Sequence, residues 1–100
     1  MHIREFLAID GVERANGDLE QEINGLTYDS RQARPGRLFF AVVGEKVDGH
    51  DYIEEAVRRG AAAVVFSRRE LSPKAPAAIQ VKNVRRTMAL WAGEFFSRPS

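Results

Sequence analysis

The chain has 100 residues, no cysteine and a formal net charge of +1; 44% of its residues are hydrophobic and 29% are charged. This size and composition are typical of one ordinary globular domain with a single core. The balanced charge gives no electrostatic sign of binding to nucleic acid or to an anionic membrane, and no apolar run approaches the ~20 residues that span a bilayer. The lack of cysteine excludes disulfides and thiolate metal sites, and two histidines are too few for a histidine-built metal site. We expect a soluble, cytoplasmic domain without a metal.

The first quarter of the chain is predicted to hold a short helix, a polar connection and a strand. Ile3 and Phe6 recur at helical spacing, which indicates an amphipathic helix over residues 3–8. Residues 10–22 are polar and punctuated by glycine, so they are predicted to form an irregular connection. Residues 23–29, INGLTYD, combine apolar positions with a β-branched threonine, which favours a strand.

A turn, a buried strand and a helix are predicted to follow. Pro35 and Gly36 are typical of a tight turn, since the first fixes φ and the second permits unusual values. The continuous apolar run over residues 38–43 indicates a strand buried on both faces. Asp51 is predicted to cap the next helix, because Glu54 three residues later completes a capping-box pattern.

The second half of the chain is predicted to add two strands and a final helix. The strands cover residues 61–66 and 77–81, and Asn83 is placed to cap the helix, which should stop at Pro99. One face of that helix carries the apolar residues Val84, Met88, Trp91 and Phe95. A buried strand, a helix and another buried strand form a βαβ unit. The fold class is therefore predicted to be α/β: a single small domain with a central β-sheet and flanking helices.

Two loops follow predicted strands and are candidates for a ligand site, because ligands of α/β sheets bind beyond the carboxyl ends of the strands. The first loop brings together a carboxylate, a hydroxyl and a guanidinium as Asp29, Ser30 and Arg31, a set that can bind a diphosphate or a sugar. In the simpler interpretation, Asp29 makes a turn with its own backbone and Arg31 is solvated. A catalytic relay of Ser30, His50 and Asp29 is a further alternative, but no nucleophile-elbow pattern supports it.

The second loop, GEKVDGH at residues 44–50, has two glycines and a lysine, but neither it nor any other stretch is a Walker A loop. Taken singly, Lys46 is interpreted as solvated, Asp48 and Gly49 as a turn, and His50 as a hydrogen-bonded loop residue. Two hypotheses stay open at this point. One is a module that binds a nucleotide sugar or a phosphate ligand, and the other is a receiver-like or other protein-interaction domain. A receiver needs an aspartate directly after a mid-chain apolar strand, and the apolar strands here do not run into one.

A longer stretch resembles a known family. Residues 25–65, GLTYDSRQARPGRLFFAVVGEKVDGHDYIEEAVRRGAAAVV, closely resemble the amino-terminal domain of the Mur ligases. The family pattern is a strand into Asp-Ser-Arg, then Pro-Gly, an apolar strand, an Asp-Gly-His loop, an alanine-rich helix and Gly-Ala-Ala-Ala-Val-Val. Every part occurs here in order, and the ending ALWAGEFFSRPS is similar to the family segment just ahead of its ATP-binding loop.

The resemblance implies a division of labour. In these three-domain ligases the amino-terminal domain holds the UDP part of the substrate, the central domain carries the P-loop and Mg²⁺, and the carboxy-terminal domain helps to bind the incoming amino acid. Within the family, the chain is most similar to the ligases that add the third peptide residue, L-lysine or meso-diaminopimelate, to UDP-N-acetylmuramoyl-L-alanyl-D-glutamate. That step belongs to peptidoglycan (cell wall) biosynthesis, and so to cell shape and division in bacteria.

Residues 1–100 are then expected to be the UDP-binding domain, with the central ATPase and carboxy-terminal domains absent from this chain. The parent enzyme is expected to be an ATP-dependent ligase of the bacterial cytoplasm that uses ATP and Mg²⁺. The domain alone is expected to hold no cofactor and to bind without catalysing. Its expected partners are the UDP-N-acetylmuramoyl dipeptide and the other two domains, and not nucleic acid or a membrane.

The resemblance also implies which residues contact the UDP moiety. Ser30 is the first choice for a hydrogen bond, and Tyr28, two residues earlier on the same strand face, is expected to line the same pocket. Glu45, Lys46 and Val47 correspond to the family's uridine-contacting segment, through backbone groups and side-chain packing.

The remaining motif residues have structural roles in this interpretation. Asp48, Gly49 and His50 are expected to shape the second loop, with direct contact by His50 as the lesser expectation. Asp29 and Arg31 either hold the first turn or contact the ligand. Two alternatives to the overall function stay open: the amino-terminal domain of the sibling ligase that adds D-alanyl-D-alanine, and a non-catalytic protein-interaction domain.

Overall fold

The computed structural model describes residues 1–9 and 12–97, which fold around one five-stranded sheet. The strands are β1 (Val12–Gly17), β2 (Gly25–Thr27), β3 (Arg37–Phe40), β4 (Ala63–Phe66) and β5 (Ala77–Val81). The helices are α1 (Ile3–Leu7), α2 (Ile53–Arg58) and α3 (Val84–Ser97), with two short 3₁₀ helices at Ser30–Gln32 and Gly49–Tyr52. Across the sheet the strand order is β1-β5-β4-β3-β2.

Four of the five strands run parallel, and β1 is antiparallel to β5. The centre of the sheet is formed by β3 and β4, in register at Phe39 and Val64, and every residue of β4 is buried. A continuous apolar run suits this position because helices cover both faces of the sheet. The predicted α/β class, with a central sheet and flanking helices, is confirmed.

The two faces of the sheet carry separate hydrophobic clusters. On one face α1 and α3 pack against the strands, and Trp91 lies fully buried with its ring centroid 5.1 Å from that of Phe6. On the other face α2 contributes Ile53 and Ala56, which pack on Phe39 and its neighbours. Burial of a large apolar side chain stabilises a fold by roughly 1.5–3 kcal/mol. Both helix layers are therefore anchored on the sheet by buried apolar side chains.

The prediction of an irregular connection over residues 10–22 is wrong for Val12–Gly17. Val12–Gly17 form the edge strand β1, whose burial pattern shows only Val12 and Ala15 partly buried. Such a polar, glycine-ended stretch has little strand propensity of its own, and its backbone pairing with β5 supplies the missing stabilisation. Asp10 and Gly11 lie outside the described residues.

The predicted N-cap at Asp51 is also wrong. Asp48 is the residue that caps this segment, since its carboxylate accepts the His50 backbone N–H at 2.9 Å. A 3₁₀ turn follows, α2 begins only at Ile53, and Asp51 is exposed. The strand predicted over residues 38–43 is shorter than expected and ends at Phe40.

The start of the last helix follows the prediction. Asn83 caps α3, with its side-chain oxygen accepting the Arg86 backbone N–H at 3.0 Å. The predicted stop at Pro99 lies outside the described residues. Within the part of the chain that the structure describes, no helix is long and apolar enough to cross a membrane.

Candidate functional site

A cavity of about 710 Å³ opens at the carboxyl ends of β2 and β3. This edge of a parallel sheet is where ligands of α/β domains bind, and the volume falls within the range of small-molecule sites. Its walls come from both candidate loops, from α2 and from α3. The lining residues are Tyr28, Asp29, Ser30, Arg31, Phe39, Val42, Gly44, Val47, Gly49, Tyr52, Glu55, Arg85 and Met88.

The first loop is held by a local clamp between Asp29 and Arg31. The Asp29 carboxylate accepts the Arg31 backbone N–H at 3.0 Å and the Arg31 Nε and Nη2 at 3.1 and 2.9 Å. Hydrogen bonds from the Arg31 side chain and backbone hold the pKa of Asp29 below its ordinary value, and this outweighs the opposing effect of desolvation. The clamp sets up the 3₁₀ turn that aims Ser30 inward.

Ser30 is 6% exposed, and its hydroxyl donates a hydrogen bond of 2.5 Å to Glu55 Oε1. Glu55 is a half-buried residue of α2, and its other carboxylate oxygen accepts a hydrogen bond from Arg59 Nη2 at 3.4 Å. The Ser30 hydrogen bond is the main reason why the pKa of Glu55 lies below its ordinary value; desolvation opposes this effect and Arg59 adds to it. Glu55 is therefore ionised at neutral pH and acts only as an acceptor.

The second loop closes as a tight turn, in which the Gly44 N–H donates to the Val47 carbonyl at 2.8 Å. The Val47 side chain lines the cavity while 54% exposed. Glu45 and Lys46 occupy the tip of the turn, where both are exposed and neither lines the cavity.

Behind this loop, Asp48 and His50 form a buried clamp. Asp48 Oδ1 lies 2.7 Å from His50 Nδ1, and His50 Nε2 accepts the Ser67 backbone N–H at 3.0 Å. Because Nε2 is an acceptor, the imidazole is neutral and carries its proton on Nδ1, toward Asp48. The other oxygen of Asp48 pairs with Arg68. The clamp ties the second loop to the end of β4.

The pKa of Asp48 reflects this clamp. Burial by itself raises the pKa, but the hydrogen bonds from His50 and Arg68 outweigh burial and lower the pKa to about 2.

The hydrogen bonds around Ser30 and His50 exclude the catalytic relay of Ser30, His50 and Asp29 that the sequence left open. Ser30 bonds to Glu55, and both nitrogens of His50 are engaged elsewhere.

Two tyrosines and an arginine complete the cavity. Tyr28 and Tyr52 stand at its rim, 68% and 44% exposed, and offer aromatic faces to a planar ligand. Arg85, in the first turn of α3, reaches across to the second loop, where its Nη2 donates to the Val43 carbonyl at 3.2 Å. Aromatic faces, carboxylate and hydroxyl acceptors, and a guanidinium together suit a ligand that is partly planar, partly hydroxylated and partly anionic.

Of the ten residues singled out in the sequence, six line the cavity and four do not. The six are Tyr28, Asp29, Ser30, Arg31, Val47 and Gly49; the four are Glu45, Lys46, Asp48 and His50. The sequence reasoning missed Tyr52, Glu55 and Arg85. An aromatic residue two positions after the Asp-Gly-His motif was an available signal for Tyr52, but no local pattern separates Glu55 or Arg85 from solvated charges. Across residues 1–9 and 12–97, no cluster of three or more acidic or histidine side chains is arranged to hold a metal ion.

Comparison with known proteins places this geometry in a family. Residues 22–96 match the family described as "Mur ligase family, catalytic domain". The chain is 46% identical over 100 residues to the UDP-N-acetylmuramoyl-L-alanyl-D-glutamate–2,6-diaminopimelate ligase of Geobacter sulfurreducens, which aligns with all of this chain and 20% of that protein. The enzyme of the same name from Syntrophomonas wolfei is 36% identical, with the same coverage. That from Geobacillus kaustophilus is 48% identical over 79 residues, covering 79% of this chain and 16% of the relative.

Solved structures show the same fold. A MurF crystal structure from Acinetobacter baumannii superimposes with a TM-score of 0.74 over 90% of this chain and 20% of that one, at 22% identity. MurF from Thermotoga maritima, in complex with ADP, has a TM-score of 0.62 and 32% identity over 82% of this chain and 18% of that one. The chain spans about a fifth of the length of these relatives. With the family pattern matched over residues 22–96, the chain belongs to the Mur ligase family.

Proposed function

We propose that residues 1–100 are the UDP-binding domain of a ligase that adds 2,6-diaminopimelate to UDP-N-acetylmuramoyl-L-alanyl-D-glutamate in peptidoglycan synthesis. The observation that carries the proposal is the cavity at the carboxyl ends of β2 and β3, with Ser30 in its wall and Tyr28 and Val47 at its rim. The relatives described above, 36–48% identical to this chain, all bear the name of the diaminopimelate-adding ligase.

The chemistry of the cavity suits UDP. The aromatic and apolar groups at the rim can pack on uracil, the acceptors can meet its N–H and the ribose hydroxyls, and a guanidinium can pair with the diphosphate. In this proposal Tyr28, Ser30 and Val47 contact the ligand through side chains. Glu45 and Lys46, at the exposed tip of the loop, contact it through backbone groups.

The rest of the reaction belongs to other domains of the parent enzyme, which are the proposed partners of this one. The chain has no Walker A loop, so the P-loop, ATP and Mg²⁺ are assigned to a central domain, and amino-acid binding to a carboxy-terminal domain. The parent is proposed to act in the bacterial cytoplasm. The domain alone should bind UDP and should not hydrolyse ATP.

An NMR titration of the ¹⁵N-labelled chain tests this function. UDP and UDP-N-acetylmuramoyl-L-alanyl-D-glutamate should shift amides in both loops, at residues 28–31 and 44–50, whereas AMP should shift them much less. Ser30→Ala should weaken UDP binding by about threefold to tenfold, the effect of losing one hydrogen bond, and Ser72→Ala, an exposed serine outside the cavity, should leave binding unchanged. An absence of shifts at millimolar UDP, or equal shifts with AMP, would contradict the proposal.

The sibling ligase that adds D-alanyl-D-alanine is the second candidate, since the solved structures with this fold include MurF enzymes. Identity favours the first candidate, because those MurF chains are 22–32% identical and the diaminopimelate ligases 36–48%. An activity assay of the parent enzyme distinguishes the two candidates. In the first candidate, the enzyme should consume the dipeptide substrate together with 2,6-diaminopimelate. Turnover of the tripeptide substrate with D-alanyl-D-alanine alone would establish the sibling activity.

A further inference from the structure

The Ser30–Glu55 pair in the cavity wall offers a ligand hydrogen-bond acceptors only. A serine hydroxyl has one donor and two acceptor lone pairs, and the Ser30 donor is engaged by Glu55 Oε1 at 2.5 Å. What remains for a ligand at this point is the lone pairs of Ser30 Oγ and the carboxylate of Glu55, which also lines the cavity. A ligand group seated here must therefore be a donor, such as an N–H or a hydroxyl. A phosphate oxygen here would find no donor in the Ser30–Glu55 pair. It would also lie beside the Glu55 carboxylate, whose charge is only partly offset by the half-exposed Arg59 at 3.4 Å.

The cavity's uncompensated positive charge comes from a different element. Two arginines line the cavity, but Arg31 has its Nε and Nη2 on the Asp29 carboxylate, which neutralises its charge. Arg85 bonds to the Val43 carbonyl through Nη2, and no carboxylate among the described residues pairs with it. A guanidinium has five N–H donors, so most of those of Arg85 remain for a ligand.

The two charged residues lie on helices that cover opposite faces of the sheet, Glu55 on α2 and Arg85 on α3. A uridine diphosphate has the matching asymmetry. Its donors, the uracil N3–H and the ribose hydroxyls, are at the nucleoside, and its diphosphate is an anion that only accepts. The low pKa of Glu55 keeps the carboxylate charged across the neutral range, so the asymmetry of the cavity persists there.

We infer that Glu55 and Arg85 set the direction in which UDP lies: the nucleoside donors face the Ser30–Glu55 pair and the diphosphate faces Arg85. Glu55 is a positioning residue, since it accepts the hydrogen bond from the Ser30 hydroxyl and so leaves only the lone pairs of Ser30 Oγ for the ligand. This inference rests on the proposed function. It adds to that function the direction in which the ligand lies and two residues, Glu55 and Arg85, that lie outside the Asp-Ser-Arg and Asp-Gly-His motifs.

Calorimetric titrations of the 100-residue chain with uridine and with UDP test the direction. Glu55→Ala should weaken both ligands by the same factor, about threefold to tenfold, because the lost contact is to the nucleoside. Glu55→Gln should restore binding to within about twofold, since the amide oxygen still accepts from Ser30. Arg85→Ala should weaken UDP about tenfold or more and leave uridine within about twofold, because only the charged contact is lost.

Matched control variants show how much of each effect on binding comes only from the change in net charge. Glu54→Ala makes the same charge change as Glu55→Ala, on the same helix at an exposed position outside the cavity. Arg69→Ala makes the same charge change as Arg85→Ala, at an exposed position between β4 and β5 that is also outside the cavity. Both should bind like the unchanged chain. If Glu55→Ala fails to fold, the unchanged chain still tests the inference. 3-Methyluridine lacks the N3–H donor, and 2′,3′-dideoxyuridine lacks the 2′- and 3′-hydroxyl donors. At least one of these analogues should then bind more weakly than uridine, and binding of both equal to that of uridine would overturn the inference.

The outcomes separate the inference from the proposed function. If the unchanged chain binds UDP but Glu55→Ala tightens UDP and leaves uridine unchanged, the diphosphate lies at Glu55 and the direction is wrong, while the function stands. Equal losses of uridine and UDP in Arg85→Ala would likewise overturn the direction. If the unchanged chain binds neither ligand, the proposed function fails and the inference fails with it.

Discussion

Replacement of Asp48 by Asn tests whether the buried clamp behind the second loop stabilises the fold through its charge. The Asp48 carboxylate accepts the backbone N–H and ring Nδ1 of His50, and it pairs with Arg68. An Asn side-chain oxygen can still accept from His50, but the substitution removes the negative charge and with it the attraction to Arg68. The change thus isolates the ionic part of the clamp.

The magnitude follows from the pKa. A carboxyl whose pKa falls from 3.8 to about 2 on folding adds about 2 kcal/mol to the free energy of unfolding at neutral pH. Arg68 is half exposed, so salt screens its part, and about 1–2 kcal/mol is expected near physiological ionic strength. Because the folded pKa lies below the unfolded value, the stabilisation is complete above about pH 5 and is lost as the pH falls through 3.8 toward about 2.

Urea unfolding near pH 7 and near pH 3 measures this effect. Asp48→Asn should be less stable than the unchanged chain by about 1–2 kcal/mol near pH 7, and the difference should shrink by about half near pH 3. Asp51→Asn, an exposed aspartate in the same segment, makes the same charge change and should cost little at either pH. A difference that is equal at both pH values, or no larger than that of Asp51→Asn, would refute the ionic account of the clamp.

Five further substitutions, at four positions, test the scaffold by thermal and urea unfolding. Gly93→Ala should stabilise the chain by about 0.5–1 kcal/mol. Gly93 is exposed and lies within the length of α3, where an added Cβ meets no atom within 4 Å. Gly17→Ala should destabilise by more than about 1 kcal/mol, since φ is +100° and the Cβ would lie 2.2 Å from the Pro76 carbonyl oxygen; equal effects of the two would contradict this contrast. Asn83→Ala should cost about 1 kcal/mol through loss of the α3 cap, and no cost would mean that the cap contributes nothing. Trp91→Ala should cost about 3–5 kcal/mol. Trp91→Phe should cost much less, because it also removes a buried indole N–H that finds no acceptor among the described residues, and similar costs would contradict that reasoning.

The strands of the sheet show where sequence reasoning succeeds. The apolar runs that contain β3, β4 and β5 are recognisable because strands covered on both faces consist of consecutive apolar residues. The edge strand β1 has no such signal, since only two of its residues are even partly buried, and pairing with β5 makes it a strand. A pattern within the segment could not reveal that partner.

The start of helix α2 shows that a local capping pattern can predict the wrong capping residue. Asp51 and Glu54 have the spacing of a capping box, but the hydrogen bonds of the preceding turn go to Asp48. Asp48 is held in that role by His50 and by Arg68, the latter from beyond β4. The cap was decided by contacts between segments that are distant in the chain, which the spacing of two residues does not encode.

The amino-acid sequence by itself determined the α/β class, the two loops at the carboxyl ends of the strands and most of the cavity-lining motif, because these depend on the order of apolar runs and on short local patterns. The tertiary structure alone decided that Glu55 accepts a hydrogen bond from Ser30, that His50 accepts one from Ser67, and that Arg85 reaches Val43 at the start of the second loop. The Ser30, Ser67 and Arg85 contacts join residues 17–42 positions apart in the chain. They form only when the sheet brings α2 and α3 to the same edge, so no spacing in the sequence can predict them.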